Sequence, residues 1–167
     1  QNLDPQVATD TSSLIVIRNI YSGLFTLSET GAIENSLALD YTISDDGLIY
    51  DISIRDDNYW ANADGKKEQT RVTAKDFEYA FKRIFNPQTS SPYKEDFICI
   101  KNAEKIINGE VDYSELKVTA TTDFSLRIEL EYPNADFLSL LTTTPAMPCN
   151  SSLFHSTNGK YGLDPDN

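Results

Sequence analysis

The sequence is poor in the residues that cross-link chains, bind metals or cross membranes. Its 167 residues include two cysteines and one histidine, and no continuous apolar run exceeds four residues. A bilayer-spanning helix needs about 20 apolar residues, and none is predicted. Cys99 and Cys149 lack C-x-x-C spacing, and His155 alone cannot complete a zinc site, so no metal centre is predicted. Two cysteines leave a disulfide open.

Basic residues are also scarce. The 14 lysines and arginines face 26 aspartates and glutamates, which gives a net charge of −12. Nucleic-acid binding requires clustered basic side chains that neutralise phosphates, and anionic lipid surfaces attract the same clusters. We therefore expect no nucleic-acid partner and no membrane binding through basic residues.

No charged segment followed by an apolar stretch marks a secretory signal peptide, and the chain opens at Gln1. We expect a processed or trimmed product.

Apolar periodicity and turn residues predict an α/β chain in which a mixed sheet is covered by helices. Several capping residues at 9–13 introduce a helix whose apolar face includes Leu14, Ile17, Ile20, Tyr21 and Leu24. A hairpin over residues 41–54 turns at Asp46-Gly47. A capping box at residues 73–76 starts a helix with a Phe77, Phe81 and Phe85 core stripe, which ends at Asn86-Pro87.

Weaker patterns predict the remaining elements. A polar surface loop covers residues 56–71, and a second long helix covers residues 94–107. Strands are predicted at 116–120 and 125–131, with short helices at 136–141 and 151–156.

Catalytic machinery is not visible in this sequence. Many aspartates fall in turns or caps, where solvated carboxylates are the ordinary interpretation. A calcium-loop pattern starting at Asp56 fails because Trp60 and Ala61 occupy its later positions. Phosphate-binding glycine loops and a nucleophile elbow are absent. Trp60 and Tyr93 stand in polar segments, where each can contact a ligand or pack on its own domain.

Several motifs resemble, in chain order, the extracytoplasmic solute-binding proteins of the peptide and nickel class of ABC importers, which include oligopeptide- and dipeptide-binding receptors. The matching segments are Leu3-Asp4-Pro5, RNIYSGL at 18–24, Leu37-Ala38, SDDGLIY at 44–50, Ile54-Arg55, VTAKDFEYAFKR at 72–83 and NPQTSSPY at 86–93. The last segment is especially similar to the oligopeptide-binding branch.

The resemblance implies a truncated type II periplasmic-binding-protein-like fold, because family members are much longer. Residues 1–27 would be an amino-terminal strip of the large lobe, and residues 28–150 a small inserted α/β domain. Residues 151–167 would begin the return to the large lobe.

The resemblance also implies a function: two lobes close over an extended peptide, and closure signals occupancy to a membrane permease. Tyr93 and the loop residues Thr9, Asp10, Thr11 and Ser12 correspond to the ligand cavity and its edge, although a capping role for the loop is equally open. The protein would be a non-enzymatic, cofactor-free receptor in the periplasm or lipid-anchored on the outer face of the cytoplasmic membrane. The alternatives are a metal-chelate, heme or sugar cargo, an acidic extracellular hydrolase, and an interaction module that uses Trp60.

Overall fold

A computed structural model of the chain describes residues 1–62 and 64–163. The helices within that range are α1 (Thr11–Ile20), α2 (Ala74–Phe85), α3 (Ala103–Ile107), α4 (Phe137–Leu140) and α5 (Ser151–Ser156). The strands are β1 (Phe25–Leu27), β2 (Ile33–Asn35), β3 (Ala38–Ile43), β4 (Ile49–Ile54), β5 (Tyr59–Ala61), β6 (Lys67–Arg71), β7 (Val118–Thr122) and β8 (Ser125–Glu129). Short 3-10 turns cover Glu95–Phe97, Tyr113–Glu115 and Thr144–Ala146.

The central sheet consists of two hairpins placed side by side. Its strand order is β3-β4-β8-β7, and β1-β2 and β5-β6 form separate two-stranded ladders. Every pairing between these strands is antiparallel. The α/β class with a helix-covered sheet is confirmed. The prediction of a mixed sheet, with both parallel and antiparallel strands, was wrong. The long connection between β4 and β8 brings β8 back antiparallel to β4.

Helix α2 supplies the centre of the core. Phe77, Phe81 and Phe85 are all buried, as the stripe predicted, and the helix packs on β7 and β8. The inward residues Leu126 and Ile128 of β8 meet it from the sheet side. An antiparallel sheet can leave its other face in water, and here the residues of β8 on that face are the polar Ser125, Arg127 and Glu129.

Helix α1 is shorter than its apolar spacing predicted. It ends at Ile20, and the backbone of Tyr21 is extended. Ile20 is 62% exposed, so it does not belong to a buried helix face. Leu24 is fully buried, but its carbonyl accepts hydrogen bonds from the amides of Ser36 and Ala38. Leu24 therefore joins the main core through strand-like pairing.

The prediction of one long helix over residues 94–107 was wrong. A 3-10 turn and α3 are separated at Asn102, which adopts a left-handed φ of 72°. The chain between them pairs with the end of the sheet: Ile100 forms an isolated bridge with Leu130, and the Lys101 amide donates to the Glu129 carbonyl. This pairing with the sheet competes successfully with helical hydrogen bonds.

The polar segment 56–71 is a hairpin, β5-β6, and the loop prediction was wrong there. All five residues of β6 are exposed, so no alternation of apolar and polar residues marks the strand. The Lys67 ammonium lies 3.6 Å from the centre of the Tyr59 ring, which contributes a cation–π contact between the two strands.

Other predictions hold with small shifts. The hairpin at 41–54 is β3-β4, and its turn places Gly47 at a φ of 73°. The strands predicted at 116–120 and 125–131 are β7 and β8, and the short helices at 136–141 and 151–156 are α4 and α5. Cys99 and Cys149 are free and buried, so the disulfide that the sequence left open is not formed. Over the described range, no helix combines the length and apolar character needed to cross a bilayer.

Candidate ligand-binding site

The amino-terminal segment is fixed to α2 by a buried ion pair. The Asp4 carboxylate accepts hydrogen bonds from Nη1 and Nη2 of Arg83 at 3.1 and 2.5 Å, and both side chains are 5% exposed. The Phe154 ring of α5 lies 4.3 Å from the guanidinium carbon. Burial disfavours the charge on Arg83, but the hydrogen bonds that Arg83 donates to Asp4 and the negative charge of Asp4 outweigh it and raise the pKa of Arg83.

A second set of contacts joins the same segment to the loop after α2. Ser91 Oγ donates to the Gln6 carbonyl at 2.6 Å, and the Tyr93 hydroxyl donates to the Ala8 carbonyl. Burial, followed by the nearby Asp96, raises the pKa of Tyr93, so the phenol remains a proton donor near neutral pH. Because its hydroxyl bonds to the Ala8 carbonyl, Tyr93 lies beside the residue that directly precedes Thr9.

The four loop residues singled out from the sequence, Thr9, Asp10, Thr11 and Ser12, are all exposed. Asp10 caps α1, because its Oδ1 accepts the Ser13 amide at 2.9 Å and its carbonyl accepts the Leu14 amide at 3.0 Å. The capping role is thus observed for Asp10.

Together with half-buried Tyr93, residues 9–12 form a surface that we call the polar edge. The hydrogen bond from Tyr93 to the Ala8 carbonyl places Tyr93 next to the start of this loop, from a segment about 80 positions away in sequence. Their contact with a ligand stays a prediction.

Trp60 lies elsewhere and packs on its own domain. Its Nε1 donates to Asp76 Oδ2 at 3.2 Å, and its ring meets Tyr21 edge-on with centroids 6.3 Å apart. Asp76 Oδ2 also accepts the Thr73 amide at 2.9 Å, as the capping box predicted. Burial raises the pKa of Asp76, although these two hydrogen bonds oppose the shift. The packing interpretation of Trp60 is therefore the one that the contacts favour.

Next to the Arg83–Asp4 pair, a group of mostly buried side chains joins residues near the two ends of the described chain. The hydroxyls of Tyr21 and Tyr161 are 2.9 Å apart, and Arg83 Nη1 lies 3.4 Å from Cys149 Sγ. Burial raises the pKa of Cys149 to about 11, against the opposing influence of Arg83. The thiol is therefore protonated at neutral pH, in contrast to reactive cysteines, whose pKa is lowered.

Sequence reasoning missed Asp4, Gln6 and Arg83 as parts of the site's support. A basic residue in the last turn of a helix is ordinarily solvated and complements the helix dipole, so Arg83 carried no signal of burial. Asp4 appeared only within the Leu3-Asp4-Pro5 motif, and its partner 79 positions away carried no sequence signal. Among the described residues, no group of three or more His, Cys, Asp or Glu side chains is placed to hold a metal ion.

Comparison with known proteins identifies the family. Residues 32–165 match the family described as "Bacterial extracellular solute-binding proteins, family 5 Middle". The chain belongs to this family. The predicted resemblance is confirmed, and the family's role is the binding of solutes.

Relatives within family 5 match nearly the whole chain. The oligopeptide-binding protein OppA of Bacillus subtilis strain 168 is 34% identical over 152 residues, which are 91% of this chain and 27% of that protein. Listeria monocytogenes OppA bound to peptide superposes with a TM-score of 0.89 at 30% identity, over 99% of this chain and 32% of that one. The substrate-binding domain of an oligopeptide ABC transporter from Bacillus anthracis gives a TM-score of 0.90 at 33% identity, covering 99% and 31%.

The chain thus spans less than a third of the length of these relatives. Its fold corresponds to one portion of such solute-binding proteins.

Proposed function

We propose that this chain is part of an extracytoplasmic receptor that captures oligopeptides for an ABC importer. The observation that carries the proposal is the match of 99% of the chain to a peptide-bound oligopeptide-binding protein at a TM-score of 0.89. The polar edge, with Tyr93 beside residues 9–12, supplies exposed hydroxyls and an aromatic face on the same surface.

We assign residues 1–27 and 151–167 to strips of a large lobe, and residues 28–150 to a small inserted domain. Contacts between the two strips support this division. The Leu3 amide donates to the Gly162 carbonyl at 2.7 Å, and Tyr21 pairs with Tyr161. Residues 164–167 of the second strip lie outside the described residues.

In the proposed mechanism, a second lobe closes over an extended peptide bound at the polar edge. The peptide main chain pairs with strand-like protein segments, and water fills roomy side-chain pockets, so that many sequences are accepted. Closure then presents the occupied receptor to a membrane permease. The receptor works outside the cytoplasmic membrane, in the periplasm or on a lipid anchor. It needs no cofactor and catalyses no reaction.

The hydrolase alternative requires two carboxylates that converge on a substrate, about 5 to 10 Å apart in glycosidases. Several of the described carboxylates already have structural partners. Asp10 caps α1, and Asp46 closes the β3-β4 turn by accepting the Ser44 hydroxyl and the Leu48 amide. Asp4 and Asp51 each bind an arginine through two hydrogen bonds. These roles favour the receptor over the enzyme.

Calorimetry on the full-length protein that contains this chain, titrated with peptides of two to eight residues, tests the proposal. We expect saturable binding with a Kd of about 1 µM or below, and affinity at least about a hundredfold lower for residues 1–167 alone, since half of the cleft is missing. Tyr93→Ala should weaken binding about tenfold through loss of aromatic contact. Tyr132→Ala is the matched control, because Tyr132 is 50% exposed and remote from the polar edge in sequence and contacts.

Three outcomes would contradict the proposal. The first is peptide binding by residues 1–167 alone that is as tight as binding by the full-length protein. The second is binding of a metal chelate, heme or sugar when none of the peptides binds. The third is the appearance of peptide hydrolysis products in mass spectra, which would make the protein an enzyme.

A further inference from the structure

Gln6 is a polar side chain that lies beside the buried Asp4–Arg83 ion pair. It is fully buried, although glutamine is mostly found exposed in proteins. A buried amide is tolerated when its donors and acceptors are satisfied, and each unsatisfied one would be costly. Gln6 therefore has to be explained by its partners.

All of its hydrogen-bonding groups have partners. The side-chain oxygen accepts Arg83 Nη1 at 2.7 Å, and Nε2 donates to the carbonyls of Pro145 and Met147 at 3.1 and 2.9 Å. The backbone amide donates to Asp4 Oδ1 at 3.0 Å, and the backbone carbonyl accepts Ser91 Oγ at 2.6 Å. One residue thus joins four separate segments of the chain.

Two of those segments determine where the polar edge lies. Ser91 is two residues before Tyr93, whose hydroxyl bonds to Ala8, two residues after Gln6. Met147 packs with Ala8 and Ile17 in one small buried cluster, so the carbonyl held by Gln6 belongs to the residue on which α1 rests. Gln6 therefore fixes both the segment that leads into residues 9–12 and the surface beneath the helix that follows them.

We propose that Gln6 is the positioning residue of the ligand site, acting through Ala8, Tyr93 and Met147 and touching no ligand itself. The inference rests on the proposed function for its effect on binding, but its effect on the order of residues 9–12 is independent of that function. A preorganised edge loses less conformational entropy when a peptide binds. Loosening the edge should therefore weaken binding without removing any ligand contact.

The informative variants are Gln6→Met and Gln6→Glu. Methionine has a similar shape and none of the side-chain hydrogen bonds. Glutamate keeps an acceptor for Arg83 but turns a second oxygen toward two carbonyls, so it separates the Arg83 contact from the contacts to Pro145 and Met147. Leu126→Ala, a buried change on β8, is the control for general loss of stability.

Hydrogen exchange is measured on the 167-residue chain under native conditions, and peptide affinity on the full-length protein. For both Gln6 variants we expect the amides of Ala8, Ser13 and Leu14, which are hydrogen-bonded on either side of residues 9–12, to exchange about tenfold faster than in the unaltered chain, with β4 and β8 unchanged. At a temperature well below that of unfolding, we expect peptide affinity to fall about fivefold. Leu126→Ala should change exchange in the sheet and leave peptide affinity unaltered.

The inference is overturned if the amides of Ala8, Ser13 and Leu14 keep their protection in the Gln6 variants, or if exchange also rises in β4 and β8, as we expect for the Leu126 control. It is also overturned if exchange at these three amides rises while peptide affinity is unchanged. If the unaltered full-length protein binds no peptide, the proposed function fails, and the exchange result alone decides whether Gln6 orders the edge.

Discussion

Two arginines of this chain each hold a carboxylate through two hydrogen bonds, yet their surroundings differ. The Arg83–Asp4 pair is 5% exposed on both sides, whereas the Arg127–Asp51 pair lies on the open face of the sheet, with side chains 46 and 45% exposed. Water and salt screen the second pair, and exposed pairs contribute little to stability. The buried pair cannot lose one partner without leaving a charge in a poorly solvated site.

We therefore expect Asp4→Ala to lower the free energy of unfolding by about 3 kcal/mol or more, because Arg83 would remain charged and buried. Asp51→Ala, which removes the carboxylate of the exposed pair and its two hydrogen bonds, should have a much smaller effect. Urea unfolding followed by circular dichroism measures both. Equal losses for the two variants would show that burial of the pair does not determine its contribution.

At the scale of secondary-structure elements, Asp76 links the start of α2 to the β5-β6 hairpin. The carboxylate accepts the Thr73 amide of the helix cap and the indole N–H of Trp60 on β5. Trp60 is the sole tryptophan of the chain, so its emission reports on the surroundings of this one side chain.

We expect Trp60 emission to shift as pH falls, at a pH above that at which an exposed aspartate titrates, because burial raises the pKa of Asp76. Because the pKa of Asp76 is higher in the folded state than in the unfolded state, protonation of Asp76 stabilises the fold as pH falls. This group therefore does not drive acid unfolding. Asp76→Asn should abolish the transition while far-UV circular dichroism stays constant. A transition that persists in Asp76→Asn would assign it to another group.

The same elements show what sequence can and cannot predict. The capping box at Thr73 and the stripe of Phe77 and Phe81 predicted α2 because the signals are local and periodic. Strand β6 was missed because both of its faces are exposed, and the break at Asn102 was missed because it depends on pairing with a distant strand.

The candidate site divides in the same way. Tyr93 and residues 9–12 were found through resemblance to a family. Their support by Asp4, Gln6 and Arg83 arises from contacts 77 and 79 positions apart, which no local pattern carries.

At the scale of the whole molecule, apolar side chains remain in water on one side of the described chain. Ile20 is 62% exposed, Leu153 50% and Leu163 45%, and these three line a groove of about 400 Å³ together with Leu3 and Tyr161. Ile15 and Val16 of α1 are also exposed. Clustered apolar surface of this kind drives association when nothing covers it.

We therefore expect residues 1–167 to self-associate through this groove, and sedimentation velocity over a range of concentrations to show it. Raised NaCl should strengthen the association, because the net charge of −12 makes the copies repel one another and salt screens that repulsion. Ile20→Asp combined with Leu153→Asp should return the chain to a monomer, whereas Leu39→Asp, an equally apolar and 56% exposed position on β3, should not. A monomer at every concentration and salt level would show that the groove is too small or too polar to hold a second copy.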